Sequence, residues 1–329
     1  MPSPPTTAVV ATHGHCFDGM ASAVLFTHLV RAVEPGAASR AFVYRGQTYD
    51  AGKNGVDPTI FAGATTTAIL DFRYTATDAL TWYFDHHASA FPTPAERAHF
   101  DRLAARDRGF YDGAGSSCTK LLAEVATARF GVDMSRFADL VRWADMIDSA
   151  AFPTPELAVD RTAPVMKLLA VVERHGDDAL LTDLVGRLLE QSIEEVAAAP
   201  DLAARYPAVD AGHHASVARI REREQRRDAV VFVDLLDAPI ETVTKFVTYA
   251  DFRDVPYSVI VSRSAKNCKI SVGYNPWSGV PRIHDISAIC ERRGGGGHPV
   301  VGAVALPLDV ARARAIALEI VAELNRPAP

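Results

Sequence analysis

The stretch AVVATHGHCFDGMASAVLFTHLVRAV, residues 8–33, decides the fold. Its first five residues predict a buried strand, and residues 19–33 have the apolar spacing of a helix. Short apolar runs at 40–44, 66–70 and 80–84 predict further strands along the chain. Strands that alternate with helical segments are typical of a parallel sheet covered by helices. The sequence therefore predicts an α/β fold.

Length and composition favour a globular protein with two domains. The chain has 329 residues, of which 48% are hydrophobic and 22% are charged. Helical patterns dominate from residue 116 onward, a charge-dense stretch follows at 213–228, and a second α/β pattern comes after it. We expect a parallel-sheet domain at 1–200, a connecting helix or linker at 201–228 and a smaller α/β domain at 229–329.

Composition also excludes several classes of protein. No apolar run is long enough to span a membrane, and the start of the chain lacks the pattern of a secretory signal, so we expect a cytoplasmic protein. The four cysteines stand far apart without a C-x-x-C pair, which argues against a disulfide framework or a zinc knuckle. The net charge of −6 means that only a local basic patch could hold a nucleic acid.

Acidic and histidine side chains follow three of the predicted strands, and two further aspartates lie i, i+3 on a predicted helix. Because the carboxyl ends of parallel strands share one edge of the sheet, we expect these side chains to converge on one crevice. In chain order they are His13, Cys16, Asp18, Asp71, Asp85, His86, His87, Asp145 and Asp148.

This mixture of carboxylates and imidazoles suits manganese, magnesium or iron better than structural zinc. Four or five carboxylates indicate two ions. An aspartate that bridges two cations about 3.5 to 4 Å apart would clamp a phosphoryl group and lower the pKa of a bound water. The sequence thus predicts hydrolysis of a phosphoester or a phosphoanhydride. Cys16 stays open between a buried thiol and a metal ligand.

A second signal is RRGGGGHPVVGA, residues 292–303. Consecutive glycines can present backbone N–H groups to an anion, and His298 adds a donor, although a flexible linker is the alternative reading. Between Asp251 and His298 there are seven basic and four acidic residues, although the whole chain is acidic. This local positive charge favours a short anionic substrate.

Taken in order, the motifs THGHCFDG at 12–19, Asp71, DHH at 85–87, Asp145/Asp148 and GGGGH at 294–298 resemble the DHH phosphoesterase superfamily with its DHH-associated C-terminal domain. That superfamily includes RecJ-like nucleases, nanoRNases, cyclic dinucleotide phosphodiesterases and exopolyphosphatase-like proteins. The resemblance spans nearly the whole chain. It implies a hydrolase with its active site in the cleft between two α/β domains.

The resemblance also implies roles for individual residues. The metal ligands would be His13, Asp18, Asp71, His86 and one of Asp145 and Asp148, with Asp18 and Asp71 as bridging carboxylates. Asp85 would orient a ligand, and His87 would face the substrate phosphate. The substrate would be held by Arg282, Arg292, Arg293, Gly295, Gly296, Gly297 and His298. Cys16 stands where many members carry an aspartate, and a thiolate there would alter metal preference.

The sequence as a whole predicts a metal-dependent phosphohydrolase, with two manganese ions, that cleaves short oligonucleotides or nucleotide phosphates. The alternatives are an exopolyphosphatase-like or pyrophosphatase-like enzyme and a non-catalytic nucleotide-binding module. Tyr257, Tyr274 and Trp277 offer stacking surfaces, which favours a nucleotide and leaves a single-stranded oligonucleotide open as partner. The apolar helix at 140–147 also leaves room for a homodimer.

Overall fold

The structure is a computed structural model that describes residues 7–48, 55–240 and 243–327. The chain divides into two compact units. Residues 1–151 and 162–206 form the first, and residues 152–161 and 207–329 form the second. Each unit contains its own β-sheet with helices packed against it, so the predicted α/β class is confirmed.

The sheet of the first unit has five strands, all parallel, in the order β2-β1-β3-β4-β5. The strands are β1 (Thr7–His13), β2 (Ala41–Gln47), β3 (Thr66–Leu70), β4 (Trp82–Asp85) and β5 (Gly109–Tyr111). Every residue of β3 and β4 is buried, as expected for strands covered on both faces. The strand order reverses direction between β1 and β3, which is where open α/β sheets bind ligands.

The helices of the first unit pack around this sheet. They are α1 (Phe17–Val33), α2 (Pro94–Ala104), α3 (Cys118–Phe130), α4 (Ala138–Asp148), α6 (Pro164–His175), α7 (Asp178–Leu188), α8 (Ile193–Ala197) and α9 (Pro200–Ala203). Helix α1 begins four residues after β1 and is buried over most of its length. Helix α3 is capped by the side chain of Ser117, which accepts a hydrogen bond from the Lys120 N–H. Helix α1 is therefore held in the core, and the start of α3 is held by its Ser117 cap.

The second unit has a mixed six-stranded sheet in the order β10-β11-β9-β8-β7-β6. Its strands are β6 (Glu224–Arg227), β7 (Val230–Leu235), β8 (Tyr257–Arg263), β9 (Asn267–Tyr274), β10 (Gly296–His298) and β11 (Val301–Pro307). Its helices are α5 (Pro155–Val159), α10 (Tyr206–Arg223), α11 (Phe246–Asp251), α12 (Ile286–Glu291) and α13 (Val310–Leu324). The apolar sides of α12 and α13 cover β8, β9 and β11.

The segment predicted as a connecting helix or linker, residues 201–228, contains helix α10 and strand β6. Helix α10 buries Val217 and Ile220 against the second unit, and residues 224–227 form strand β6 instead of continuing the helix. The strand forms because its backbone pairs antiparallel with β7. Its side chains stay polar because β6 is the edge of the sheet.

None of the helices in the described part of the chain is long and apolar enough to cross a membrane.

Candidate metal centre

Asp71 follows β3 directly, and the backbone holds it in an unusual conformation. Its φ is +53°, in the left-handed region that aspartate tolerates better than most residues, and its N–H donates to the Phe84 carbonyl at 2.9 Å. The side chain is fully buried at the carboxyl end of the sheet. The fold therefore fixes the direction of this carboxylate.

The two oxygens of Asp71 face different neighbours. Oδ2 lies 3.6 Å from His13 Nδ1 and 3.5 Å from Cys16 Sγ. Oδ1 lies 3.5 Å from His86 Nε2 and 3.7 Å from His87 Nδ1. Burial alone would raise the pKa of Asp71, but the surrounding imidazoles outweigh it and hold that pKa well below its usual range. Asp71 is thus an ionised carboxylate at the middle of the cluster.

Asp18 lies in the first turn of α1, and its buried carboxylate meets the start of α3. Oδ2 accepts from the Cys118 N–H at 2.7 Å and Oδ1 accepts from the Thr119 N–H at 3.0 Å. Oδ2 is also 3.9 Å from His86 Nε2. Burial and the negative charge of Asp71 raise the pKa of Asp18. A cation among these carboxylates would relieve that repulsion.

His86 is held by a backbone carbonyl on one side and faces carboxylates on the other. Its Nδ1 donates to the Gly115 carbonyl at 3.1 Å, so Nε2 points to the cluster and lies 3.1 Å from Asp148 Oδ2. Burial alone would lower the pKa of His86, but Asp148 and Asp71 outweigh this effect and raise the pKa to about 11. A ring N–H fixed by a backbone carbonyl is the usual arrangement of a histidine that binds metal.

Asp85 and His87 form a pair beside the cluster. The buried Asp85 accepts from His87 Nδ1 at 2.8 Å and from the Tyr83 hydroxyl at 2.9 Å. Burial lowers the pKa of His87, but the hydrogen bond to Asp85 and its negative charge raise it more. Asp85 thus orients His87 through Oδ1, while its Oδ2 accepts from Tyr83.

The two aspartates of α4 have different surroundings. Asp148 faces His86, whereas Asp145 accepts hydrogen bonds from Ser116 and, at 3.3 Å, from Ser117. Asp145 also lies 3.5 Å from Lys120 Nζ. The i, i+3 spacing puts both on one side of the helix, but Asp145 is bonded to the start of α3 and Asp148 lies in the cluster.

Cys16 is the residue before α1, and its thiol points to Asp71. Burial raises the pKa of Cys16, and the negative charges of Asp71 and Asp18 raise it further. Without a cation the thiol is therefore protonated. A metal ion would reverse this by binding the thiolate.

Most of the side chains predicted after the strands come together in three overlapping groups of candidate ligands. Within each group the ligand atoms lie within 4.8 Å of one another. Asp71 and His86 each belong to two groups. The groups are His13 with Cys16 and Asp71, Asp71 with His86 and His87, and Asp18 with His86 and Asp148.

Two buried atoms at the centre of these groups support a cation site. Asp71 Oδ1 and His86 Nε2 are buried, and neither forms a hydrogen bond within the described residues. A buried carboxylate oxygen without a donor is costly, and a bound cation would satisfy it. The residues present therefore fit one or two divalent ions.

The glycine run of the second unit has a structural role that differs from the predicted anion cradle. The N–H groups of Arg293 and Gly295 donate to the Cys290 carbonyl, and that of Gly294 donates to the Glu291 carbonyl. These three N–H groups are consequently not available to an anion.

Two glycines of the run, Gly295 and Gly297, lie where the backbone packs too closely for a side chain. A Cβ on Gly295 would lie 2.1 Å from the Ala303 carbonyl oxygen, and one on Gly297 would lie 2.2 Å from that of Val301. Gly296 has open space at that position. The backbone of His298 ends β10, and its side chain lies outside the described part of the structure.

The predicted substrate arginines have protein partners in the structure. Arg292 and Arg293 both bond to the carboxylate of Glu323, the latter at 2.8 Å. Arg282 donates to the His284 carbonyl at 2.7 Å. Arg292 and Arg282 are exposed, so they are accessible to a ligand, whereas Arg293 is half-buried.

The aromatic residues expected to stack on a base are also largely engaged. Tyr257 is buried, so it offers no stacking surface. The Tyr274 hydroxyl donates to the Val280 carbonyl at 2.6 Å. Trp277 donates through Nε1 to the Phe152 carbonyl at 3.0 Å and packs against Phe246. These rings give little support to base stacking.

Sequence reasoning missed the segment before α3. The Gly115 carbonyl orients His86, the hydroxyls of Ser116 and Ser117 hold Asp145, and the first N–H groups of α3 hold Asp18. The signal was present, since GAGSSC before an apolar helix is a helix-start pattern. It predicts a cap, and it does not predict which carboxylates the helix start would hold.

Comparison with known proteins decides the fold. No family model and no curated protein match the sequence. Solved structures do match over most of the chain. The pGpG-specific phosphodiesterase PggH from Vibrio cholerae has a TM-score of 0.66 and 18% identity, and the match covers 97% of this chain and 99% of that one.

Two further solved structures agree. The DHH domain of a member of the s1p family of ribosomal proteins has a TM-score of 0.59 and 12% identity, with 98% of this chain and 88% of that one covered. The chain has the DHH fold. Exonuclease RecJ bound to manganese has a TM-score of 0.55 and 14% identity, with 98% and 91% covered. The resemblance to the DHH superfamily is confirmed at the level of the fold.

The DHH fold explains how distant residues meet. The DHH triplet itself lies at the end of β4. Strand β3, which pairs with β4, brings Asp71 to the same edge of the sheet, and β1, on the other side of β3, brings His13 there. The motif that names the fold is thus one part of the candidate metal centre.

Proposed function

We propose that this protein is a metal-dependent phosphohydrolase that cleaves short phosphorylated substrates such as short oligonucleotides or nucleotide phosphates. The observation that carries the proposal is the Asp71 carboxylate. It is buried between two sets of metal-ligand side chains and has one oxygen directed at each set. Such a carboxylate is what a two-ion hydrolytic centre requires.

The ligands follow from the three groups of candidate side chains. His13, Cys16 and Asp71 would hold one cation, and Asp18, His86, Asp148 and Asp71 would hold the other. Asp145 would not bind a cation itself but would position the start of α3 through its hydrogen bonds to Ser116 and Ser117. Manganese is the proposed ion, with magnesium and iron as alternatives, because the ligands are mainly carboxylates and imidazoles. Bound divalent ions supply Lewis acidity and activate water for attack on phosphorus.

The chain's own residues would orient the substrate. Asp85 accepts a hydrogen bond from His87 Nδ1, which leaves the edge of the imidazole that carries Nε2 for contact with the substrate. The side chain of His87 is 29% exposed, so this edge can reach a ligand. Because Asp85 raises the pKa of His87, the ring can donate a proton in a hydrogen bond to a phosphate oxygen. Asp85 is thus a positioning residue for His87.

The substrate class is the finer part of the proposal. Of the residues predicted in the second unit, the exposed side chains of Arg282 and Arg292 and the backbone of Gly296 would bind the substrate's anionic groups. The N–H groups of Arg293 and Gly295 are bonded within the protein and would not take part. A match to the fold of a pGpG-specific phosphodiesterase supports a short nucleotide. A cytoplasmic location and a homodimer remain predictions of the sequence.

One substrate panel tests this function. Purified wild-type protein would be incubated, with and without manganese, with a 5′-phosphorylated dinucleotide, adenosine bisphosphate, a cyclic dinucleotide and polyphosphate. We expect manganese-dependent cleavage of a nucleotide substrate, loss of that cleavage in His86→Ala and its retention in His28→Ala. His28 is a suitable control because its ring bonds to the Asp133 carbonyl, apart from the metal-ligand groups.

The other outcomes separate the alternatives. Cleavage of polyphosphate alone would favour a phosphoanhydride hydrolase. Binding of nucleotides without cleavage and without metal would favour a binding module. Full activity in His86→Ala would refute the proposed centre.

A further inference from the structure

The two sides of the Asp71 carboxylate differ in chemistry. On the Oδ2 side lie His13 and the thiol of Cys16. On the Oδ1 side lie His86 and His87, with Asp18 and Asp148 around His86. Among the three ligand groups found within the described residues, sulfur therefore occurs only on the Oδ2 side.

Resting on the proposed function, we infer that the two cation positions have different metal preferences. The position of His13, Cys16 and Asp71 Oδ2 is a mixed nitrogen, sulfur and oxygen site for a thiophilic cation such as Zn²⁺, Co²⁺ or Fe²⁺. The position of Asp18, His86, Asp148 and Asp71 Oδ1 is a nitrogen and oxygen site that suits Mn²⁺ or Mg²⁺. The protein would then hold a mixed metal pair, with Asp71 as the bridge.

The donor atoms provide the physical reason. Thiolate ligands favour zinc, iron and other soft or borderline cations, whereas carboxylate oxygens favour manganese and magnesium. The first position has one imidazole, one thiolate and a shared carboxylate. The second has one imidazole, two carboxylates of its own and the other half of Asp71. The second position thus offers more hard, negatively charged oxygen than the first.

The surroundings of Cys16 strengthen the difference. Cys16 and His13 border a small cavity whose other walls include Met20, Val172 and Leu184. The cavity has a volume of about 10 Å³, which holds one water molecule at most. A cation that keeps several waters, as magnesium does, is disfavoured beside these apolar walls. Asp71 does not line this cavity, so the cavity borders the ligand set on the Cys16 and His13 side, where it leaves no room for a hydrated cation.

The cation position beside Cys16 also includes a buried carboxylate. The Asp71 carboxylate that it shares is fully buried, and Oδ1 lacks a hydrogen-bond donor within the described residues. A bound cation would therefore stabilise this buried carboxylate. Its other oxygen, Oδ2, is the ligand atom that faces Cys16 and His13.

Cobalt(II) titration of the metal-free protein tests this inference directly. A thiolate bound to cobalt gives a sulfur-to-metal charge-transfer absorption in the near ultraviolet, which nitrogen and oxygen ligands do not give. We expect this band in the wild type and its loss in Cys16→Ser and in Cys16→Asp. Cys118→Ser is the matched control and should keep the band, because the thiol of Cys118 is buried and points to the Phe84 carbonyl.

A competition experiment separates the two positions. Excess manganese added to the cobalt-loaded wild type should release cobalt without removing the band, since manganese would replace cobalt only where sulfur is absent. Excess zinc should remove the band. Cys16→Asp should still bind two ions, and manganese should then compete at both positions.

Three outcomes would overturn the inference. These are the absence of the band in a wild type that binds cobalt, persistence of the band in both Cys16 variants, and removal of the band by manganese as readily as by zinc. Circular dichroism of each variant checks that it is folded. If manganese-dependent hydrolysis is present but the band is absent, only this inference fails. If the band is present but no phosphorylated substrate is cleaved, the proposed function fails and the unequal metal site stands.

Discussion

The substitution Asp85→Asn removes one buried charge while keeping the shape of the side chain. Asp85 accepts from His87 Nδ1 at 2.8 Å and from the Tyr83 hydroxyl at 2.9 Å. An asparagine oxygen can still accept from His87, and its NH₂ group can donate to the Tyr83 oxygen. The Tyr83 proton can then turn to the Phe72 carbonyl, 3.2 Å away. The variant should therefore fold with these groups still paired.

The expected loss follows from the kind of hydrogen bond that changes. A bond to a charged group contributes about 1.5 to 3 kcal/mol and a neutral bond about 0.5 to 1.5 kcal/mol, so the metal-free variant should lose roughly 1 to 2 kcal/mol. It should also lower the pKa of His87, because burial already lowers that pKa and Asp85 is the main influence that raises it.

The loss should depend on pH. The folded protein raises the pKa of His87, so this contribution to stability is complete below the unfolded pKa of about 6.5 and fades as the pH rises through the folded value. The difference in unfolding free energy between wild type and Asp85→Asn should therefore be larger near pH 6 than near pH 9.

Urea unfolding in the presence of a chelator, at both pH values, measures this difference. Manganese-dependent hydrolysis by the metal-loaded variant should fall by about 10- to 100-fold, as is usual for residues that orient a ligand. Asp85→Ala is the comparison, because it leaves His87 without this acceptor and should destabilise the protein more. Equal stability of wild type and Asp85→Asn at pH 6, together with unchanged hydrolysis, would refute the role given to Asp85.

Three further predictions concern other parts of the chain. Asp148→Asn should abolish manganese-dependent hydrolysis, while Asp145→Asn should keep most of it and lose stability instead, as phosphodiester assays and thermal melts would show. Gly295→Ala should destabilise the protein by about 1 to 3 kcal/mol because its Cβ would meet a carbonyl oxygen, whereas Gly296→Ala should cost less than about 0.5 kcal/mol. Burial and a neighbouring aspartate raise the pKa of Glu224 from 4.5 to about 7, so the unfolding free energy should fall as the pH rises from about 4.5 to about 7 and level off above that, and Glu224→Gln should remove this fall in denaturant titrations.

Each of these predictions has a clear contrary result. Equal loss of hydrolysis in the two aspartate variants would remove the distinction between Asp145 and Asp148. Equal stability of the two glycine variants would show that the hairpin has room for a side chain at both positions. A wild-type pH profile that Glu224→Gln leaves unchanged would assign the pH dependence to another group.

The arrangement of the candidate centre was largely predictable from the sequence. Parallel strands end at one edge of a sheet, so the side chains after β1, β3 and β4 had to converge once the strands were recognised. His13, Asp71 and His86 are contributed by three such strand ends and do lie together. The pairing of Asp85 with His87 also followed from a known pattern, in which a carboxylate orients an imidazole.

The remaining features depend on contacts that a single sequence does not reveal. Asp145 and Asp148 share one helix side, and only the path of residues 115–117 decides which of them reaches the cluster. The partner of Arg292 and Arg293 is Glu323, about thirty residues further along the chain. The glycine run is explained mainly by close backbone packing, which cannot be distinguished from anion binding by its letters alone.

The most direct measurement is manganese-dependent hydrolysis of a 5′-phosphorylated dinucleotide by wild type and by Asp71→Asn, side by side. Asparagine keeps the size of the side chain but removes the charge that both cation positions share. We expect cleavage by the wild type and a loss of at least about 100-fold in the variant, since a shared ligand affects both ions. Equal cleavage by the two proteins, with both folded and loaded with manganese, would contradict the account of Asp71 as the carboxylate at the centre of a two-ion phosphohydrolase.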